Sequence, residues 1–541
     1  MKKFAAISLL CASLLSSCSF LEVPLESSVS TSNYYQQVSD FSMSLTGVYN
    51  ILISASWSDD ARYGTYFQGF LLTGRVGTDE MLVAFDNGKG EAALGDYSYT
   101  PTNLYVSRPW YMMYKGIQRA NTIIDRLTAF ETDHNDEKNK ILGESYFLRA
   151  FFYFHLVRLY GQVPISAHEI TDVEKMDLTK RSEKEVYELI VGDLQTAESL
   201  LPETNALGHA YRDAAKAMLG KVYLQMSGYP LKDSSAAALA KAKLAEVIGS
   251  GKYALVEDYL SLFDASNEYS SEYIWDIEFS NNGTTTYGGC VGTVEGPTNP
   301  ASLYWTMLRV PREFYETFDQ KDKRIESIAR YGLAYDEDGN IVPEYFWEGA
   351  GYASYDDYKT DLAKYIAQGV YTEDPDWYYF AYKFRHALTA EERGTGWANW
   401  ANPINFPVIR YSDVLLMYAE ADLRANGSIS AEALEYVNQV RRRGYGKDIL
   451  TPDKSCDLKD MTLDDMLAER SFELCFEGHR WYDLVRFEKL EEGVKKLSTY
   501  SLTKNYTNQA INFQAKHWYY PVPQDVIDSS EGAIEQNELW R

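Results

Sequence analysis

The sequence predicts a mainly α protein, a scaffold of antiparallel helix pairs with a loop-rich α+β remainder. Three observations predict it. Apolar residues recur at helical spacing through the first half of the chain and again toward the C-terminus. Short polar or Gly-containing breaks separate these stretches, so neighbouring helices are antiparallel. The middle, about 265–410, is instead dense in Tyr, Trp, Gly, Asn and Pro.

Trp110, Tyr114, Ile117, Asn121 and Ile124 form one stripe. The next segment, Ile141 to Tyr160, is apolar nearly all round at Phe147, Leu148, Phe151, Phe152, Phe154 and Leu156, which predicts a buried central helix. Ser182 with Glu185 makes a capping box before Val186, Ile190, Leu194 and Ala197, and Pro202 ends that run. Ala215, Met218, Leu219, Val222 and Met226 share a face, and 236–248 is Ala-rich and helical. Near the C-terminus Val414, Met417, Tyr418 and Ala421 lead to a closing Gly427. Ala433, Val437 and Val440 follow, and Thr462 with Asp465 caps a further helix. The pairs are 110–129 with 139–160, 184–201 with 212–227, 412–426 with 431–443, and 463–477 with 480–490. Four hairpins of similar length predict a tetratricopeptide-like stack, although the strict repeat consensus is absent. In the middle, Tyr273 to Phe279 alternates like a strand.

The N-terminus reads as an export signal. Lys2 and Lys3 precede an apolar run from Phe4 to Leu15, too short to span a bilayer. It ends in Leu15-Ser16-Ser17-Cys18, which resembles the bacterial lipobox. Residues 1–17 are therefore expected to be a lipoprotein signal peptide, Cys18 the lipidated residue, and 18–30 a Ser-rich tether. Each buried CH2 contributes about 0.8 kcal/mol, so several acyl chains anchor where one holds poorly. No later stretch reaches the length of a membrane span.

The net charge of −26 becomes −28 once Lys2 and Lys3 leave. Such a surface repels nucleic acid, which excludes that class of partner. Of five cysteines, 290, 456 and 475 remain after Cys11 is removed and Cys18 lipidated. Their spacing makes neither a disulfide framework nor a zinc site. A Cys456–Cys475 bridge is open, against the blander reading of Cys475 as a small buried hydrophobe. Tyr, with 44 copies, outnumbers Phe and Trp together, which suits half-wet recognition surfaces and helix packing alike.

Several stretches resemble one family. Glu144 to Ala150 running on to Pro164, Arg410 to Ala421, Glu469 to Leu474 continuing through Glu477 to Leu484, and the tail Tyr520-Pro521-Val522-Pro523 followed by Gln536-Asn537 resemble signature segments of the SusD/RagB family, in family order. The resemblance implies a SusD-like fold, with an N-terminal part at 31–230 and a C-terminal part at 231–541. It implies an outer-membrane, surface-exposed lipoprotein of Bacteroidetes, lid to a SusC-like TonB-dependent transporter, capturing a glycan or other nutrient without catalysis. The signature charges Arg149, Arg410, Asp413, Glu420, Glu469 and Arg480 lie on or beside helices near aromatic faces. Their physical reading is buried ion pairs and caps rather than ligand contacts.

Sugar recognition needs flat rings for C–H faces and amides or carboxylates for hydroxyls. Two loops qualify. The first precedes Trp110 and holds Asp79, Glu80, Asp86, Asn87, Tyr97, Tyr99 and Asn103. The second follows the Trp275 strand and holds Asn281, Asn282, Tyr287, Asn299, Tyr304 and Trp305. The candidate ligand-binding residues are Trp305 as the main platform, then Asp79, Tyr97, Asn87, Tyr304, Tyr287 and Trp347, with Trp397 and Trp400 behind them. Each has a packing alternative, and Gly77-Thr78-Asp79-Glu80 could equally turn the chain. Asp336-Glu337-Asp338-Gly339-Asn340 offers oxygen ligands of the type Ca2+ takes, but without the calcium-loop spacing or a distal acidic ligand, so a hairpin turn is preferred, no cofactor or metal site is assigned, and a structural Ca2+ stays open as the alternative. Motifs of metalloproteases, serine hydrolases and phosphate-binding loops are absent. A peptide binder of the same fold, a surface glycoside hydrolase and a purely structural subunit of the transporter stay open as rivals.

Overall fold

The computed structural model of the 541-residue chain describes residues 34–53, 60–84, 88, 90–280, 289, 291–295, 307–331, 333–335, 341–343, 378–384, 402–499 and 510–541. Cys18 and the predicted signal lie outside them. Among the described residues no helix is long and apolar enough to cross a membrane.

The structure is mainly helical, as the periodicity predicts. Helix α1 (Val38–Ile53) packs on α2 (Leu104–Ala129) and α3 (Asn135–Tyr160). Helices α4 (Glu183–Leu200) and α5 (Arg212–Ser227) extend the stack, each packed on its predecessor. Helix α3 is the predicted central helix: from Phe147 to Val157 every residue is buried. The Ser182–Glu185 capping box forms at the start of α4. After the middle segment come α7 (Tyr411–Asn426) and α8 (Ala431–Gly444), which pair, and α9 (Leu463–Leu474), which packs on α7. Thr462 and Asp465 cap α9 reciprocally, and Gly427 closes α7 in the left-handed conformation.

The helix left without a partner in the sequence, α6 (Ala236–Gly249), joins the two halves. It packs on α5 on one side and on α7 on the other. Its small residues and Gly220 of α5 permit the approach: a Cβ at Gly220 would sit 2.7 Å from the Leu244 side chain. The fourth pair differs from expectation. Helix α9 stops at Leu474, Cys475 leaves it extended, and Phe476 takes φ +64°. Its partner is the short α10 (Arg480–Arg486), followed after Glu488 at φ +59° by α11 (Leu490–Thr499). Buried charges hold this bend, because Arg75 Nη1 donates to the Phe476 carbonyl at 2.5 Å and Arg410 Nε to Glu477 at 2.8 Å. Cys456 and Cys475 are both free and buried, which overturns the disulfide alternative.

The remainder is built from short antiparallel ladders. The predicted strand is β2 (Tyr273–Ile277), paired with β6 (Phe406–Arg410). Strand β1 (Leu82–Val83) pairs with β3 (Leu308–Arg309), and β4 (Ile328–Tyr331) with β5 (Tyr378–Ala381). A bridge between Val310 and Tyr379 links these last two ladders. Leu333–Tyr335 and Ile341–Pro343 pair antiparallel on either side of 336–340, the pairing a hairpin turn requires, and those five residues lie outside the described ones.

The C-terminal tail returns to the first half. Tyr520 N donates to the Leu159 carbonyl at 2.7 Å, and Asn537 Nδ2 donates to the carbonyls of Tyr160 and Tyr520. Gln536 bonds both backbone groups of Val522.

Candidate ligand-binding site

The family-like charged residues form a buried lattice beneath the ladders. Glu469 and Glu473 lie one turn apart on α9, and Glu477 follows just beyond the helix. Glu473 pairs with Arg410, Arg443 and Arg324, all of them buried. Glu477 accepts from Lys383 Nζ at 2.7 Å and from Arg410 Nε at 2.8 Å. Burial pushes the Glu473 carboxyl up, but its three guanidiniums outweigh this and hold it well below the usual carboxylate range. A second cluster joins Arg470 to Asp413 and Asp483, and Arg486 to Glu420. In α3, Arg149 holds Asp193 bidentately. The signature residues therefore fix helix packing, in agreement with their reading as buried ion pairs.

Two predicted ligand contacts belong to this interior. Asp79 is 5% exposed and receives both Nε and Nη2 of Arg480, at 2.7 and 2.6 Å. Burial raises its carboxyl and Arg480 more than reverses that, leaving it low and ionised. Tyr97 is 3% exposed, donates to the Gly77 carbonyl at 2.8 Å, and packs against Phe513 and His517. Both leave the candidate set, because each is buried with its polar atoms committed inside the fold. Gly77-Thr78-Asp79-Glu80 is a turn closed by the Thr78–Met81 bridge, with Gly77 at φ +74° against the Tyr97 ring. Glu80 is pushed up to about 8, by burial first. Asn103 caps α2 by accepting from Tyr105 N at 2.8 Å.

Asn87, Tyr287, Tyr304, Trp305 and Trp347 lie outside the described residues, as do Trp397 and Trp400. Along the chain, the described framework next to Asn87, Tyr304 and Trp305 is the β1–β3 ladder, whereas that next to Tyr287 is Gly289, which is bridged to Asn402. Leu82 faces Arg309, Val83 faces Leu308, and Ala84 N donates to the Met307 carbonyl at 2.7 Å. The end of β1 and the beginning of β3 therefore share one edge. In the later part of the first loop, leading into α2, is a shallow concavity of about 390 Å3, lined by Gly90, Ser98, Thr100, Thr102 and Asn103 among others. Thr100 and Thr102 bond each other through their hydroxyls at 2.9 Å. These hydroxyls carry no aromatic signature in the sequence; the run Thr100-Pro101-Thr102 ahead of the Asn103 cap is the signal that marks them.

An interior cavity between α3, α5 and α10, lined by His155, Lys221, His479 and Tyr482, has a volume of about 40 Å3. That suits water and no sugar. Among the described residues no group of three or more His, Cys, Asp or Glu could hold a metal ion.

The architecture is thus a helix-pair stack carrying short antiparallel ladders, with a buried lattice of charges. The chain belongs to the SusD family, whose family model matches residues 264–540, while a second, described as "Starch-binding associating with outer membrane", matches 78–224. A curated relative, SusD-like protein P2 of Formosa agariphila, is 26% identical over 90% of this chain and 91% of its own. The crystal structure of a SusD homolog from Bacteroides thetaiotaomicron superposes with a TM-score of 0.75 at 26% identity, covering 93% of this chain and 97% of that one. A structure named as a laminarin binding SusD-like protein gives a TM-score of 0.70 at 25% identity, covering 92% and 99%.

Proposed function

We propose that the protein is a cell-surface lipoprotein that binds a glycan without chemistry and delivers it to a SusC-like TonB-dependent transporter in the outer membrane. The observation that carries the binding part is the shared edge of β1 and β3. Ala84 and Met307 are hydrogen-bonded there. Asn87 lies three residues beyond the one, and Trp305 two before the other. At about 3.3–3.6 Å per residue, Asn87 lies within about 11 Å of Ala84 and Trp305 within about 7 Å of Met307. The amide-bearing and the aromatic segment thus start from one rim. Family membership and the glycan-binding relatives support the remainder, and the lipobox-like sequence ending at Cys18 supports a lipid anchor. Binding in the millimolar to micromolar range, about −4 to −8 kcal/mol, suits a carrier that must release its cargo.

The test is a glycan array with residues 19–541, run beside Trp305→Ala. Binding without new reducing ends, weakened about tenfold or more by the substitution, supports the reading. New reducing ends would make the protein a hydrolase. Retention of peptides and no glycan would change the cargo, and no ligand at all would leave a structural subunit.

A further inference from the structure

A large cleft lies away from the β1–β3 rim. It opens between the segment following α6, the turn Lys323–Ser327, the start of α7 and the end of α8, and its volume is about 790 Å3. Ligand pockets span about 300–1,000 Å3, with aromatic walls and a few placed polar groups. Tyr253 and Tyr411 form one wall, half-buried, with ring centroids 6.1 Å apart and planes at 31°. The Tyr253 hydroxyl is committed, bonded to Tyr211 at 2.9 Å and donating to Asp213 at 3.2 Å, so its ring is held in place. Tyr411 is fixed by its backbone, whose N–H donates to the Glu272 carbonyl at 2.7 Å. Its hydroxyl makes no hydrogen bond among the described residues. Gln439 of α8 donates weakly to Glu435 at 3.4 Å and leaves its carbonyl oxygen without a donor among the described residues.

The opposite wall, 446–450, is rigid. Asp448 accepts from Leu450 N and Thr451 N, Arg442 donates to the Ile449 carbonyl at 2.7 Å, and Gly446 turns the chain at φ +62°. Charges along the cleft are mixed, with Lys323 and Lys447 set among carboxylates such as Glu326 and Asp448. No sign dominates, which disfavours a polyanion and a polycation alike. Fixed tyrosine rings offer C–H faces a platform, and an unused amide oxygen and phenol offer hydroxyl groups their partners.

We infer that this cleft is a second binding site for a neutral hexose oligosaccharide, separate from the β1–β3 rim. It would give the protein two grips on one long chain, raising avidity without new contacts at the principal site. The inference rests on the glycan reading above, and its test separates the two.

Hydrogen–deuterium exchange on residues 19–541 is measured with laminarihexaose, maltohexaose and cellohexaose in turn. Protection at 253–260 and 445–451 together with 85–103 and 296–310 supports both sites. Protection at the rim alone overturns the second site and keeps the first. Protection at the cleft alone supports the second and overturns the first, and protection nowhere overturns both. Tyr411→Ala and Gln439→Ala, each checked for an unchanged melting curve, should weaken binding at the cleft about threefold to tenfold while leaving rim protection intact. Unchanged cleft protection in both variants overturns the assignment.

Discussion

Replacing Arg149 with Ala should cost stability and spare ligand binding. Arg149 sits on α3, 5% exposed, and its guanidinium is fully engaged. Nε and Nη2 hold Asp193 of α4 at 2.8 and 2.7 Å, while Nη1 donates to Asn121 of α2 and to the Ala167 carbonyl, both at 2.8 Å. One side chain thus ties three helices and a loop. Its removal leaves Asp193, 4% exposed, without a counter-charge. Breaking a buried pair from one side costs about 3–5 kcal/mol. At about 2.1 cal/mol/K of unfolding entropy per residue, some 500 residues give about 1 kcal/mol/K, so 4 kcal/mol lowers Tm by about 4 °C. Burial already pushes Asp193 up despite Arg149. Without the guanidinium it rises further, so the folded state takes up a proton and the loss should be smaller at pH 5 than at pH 8. Calorimetry at both pH values measures this, and Arg149→Met with Asp193→Leu should recover much of the loss because no charge is stranded. A Tm change under about 1 °C, or equal losses in the single and double variants, refutes the reasoning.

Three other perturbations have definite outcomes. Asp276 and Glu268 meet around Asn405, and burial first, then neighbouring carboxylates, push each up to about 7. Their folded pKa values exceed the free ones, so their contribution is fully present below about pH 4 and lost as pH rises through 7. Asp276→Asn should flatten the fall in urea stability between pH 5 and 8, and an unchanged slope counts against it. Gly64→Ala would drive a Cβ into the Arg108 carbonyl oxygen of α2, backbone that has little room to yield. Overpacking of this kind costs about 1–3 kcal/mol, read as a lower urea midpoint. Cys18→Ala should move the protein from the membrane pellet to the supernatant, and continued pelleting would exclude that cysteine as the anchor.

The helices were legible because their faces are strongly patterned and their ends carry local signals, such as Ser182–Glu185 and Gly427. The break after Leu474 was not. Its cause is Arg75 and Arg410, 399 and 64 positions away in the sequence, and helical periodicity carries no trace of such partners. Helix α6 was seen but not its place, since Ala-rich surfaces pack equally well on either side. At the candidate site, Asp79 and Tyr97 read as recognition residues because Asp and Tyr in a Gly-containing loop look exposed. Arg480, 401 positions later, and the turn at Gly77 draw them inside. The signature charges were read correctly because helix-borne arginines and glutamates beside aromatic faces have few roles other than pairing.

The C-terminal tail has a consequence for biosynthesis. Leu159 and Tyr160 close the central helix with carbonyls that accept from Tyr520 N and Asn537 Nδ2. Some 360 residues separate donor from acceptor, so the first half leaves the ribosome long before its last bonds can form. During that interval the end of the central helix holds an unclosed edge. A nascent chain stalled before residue 520 would be expected to remain protease-sensitive at the end of α3, while one released past 537 becomes resistant there.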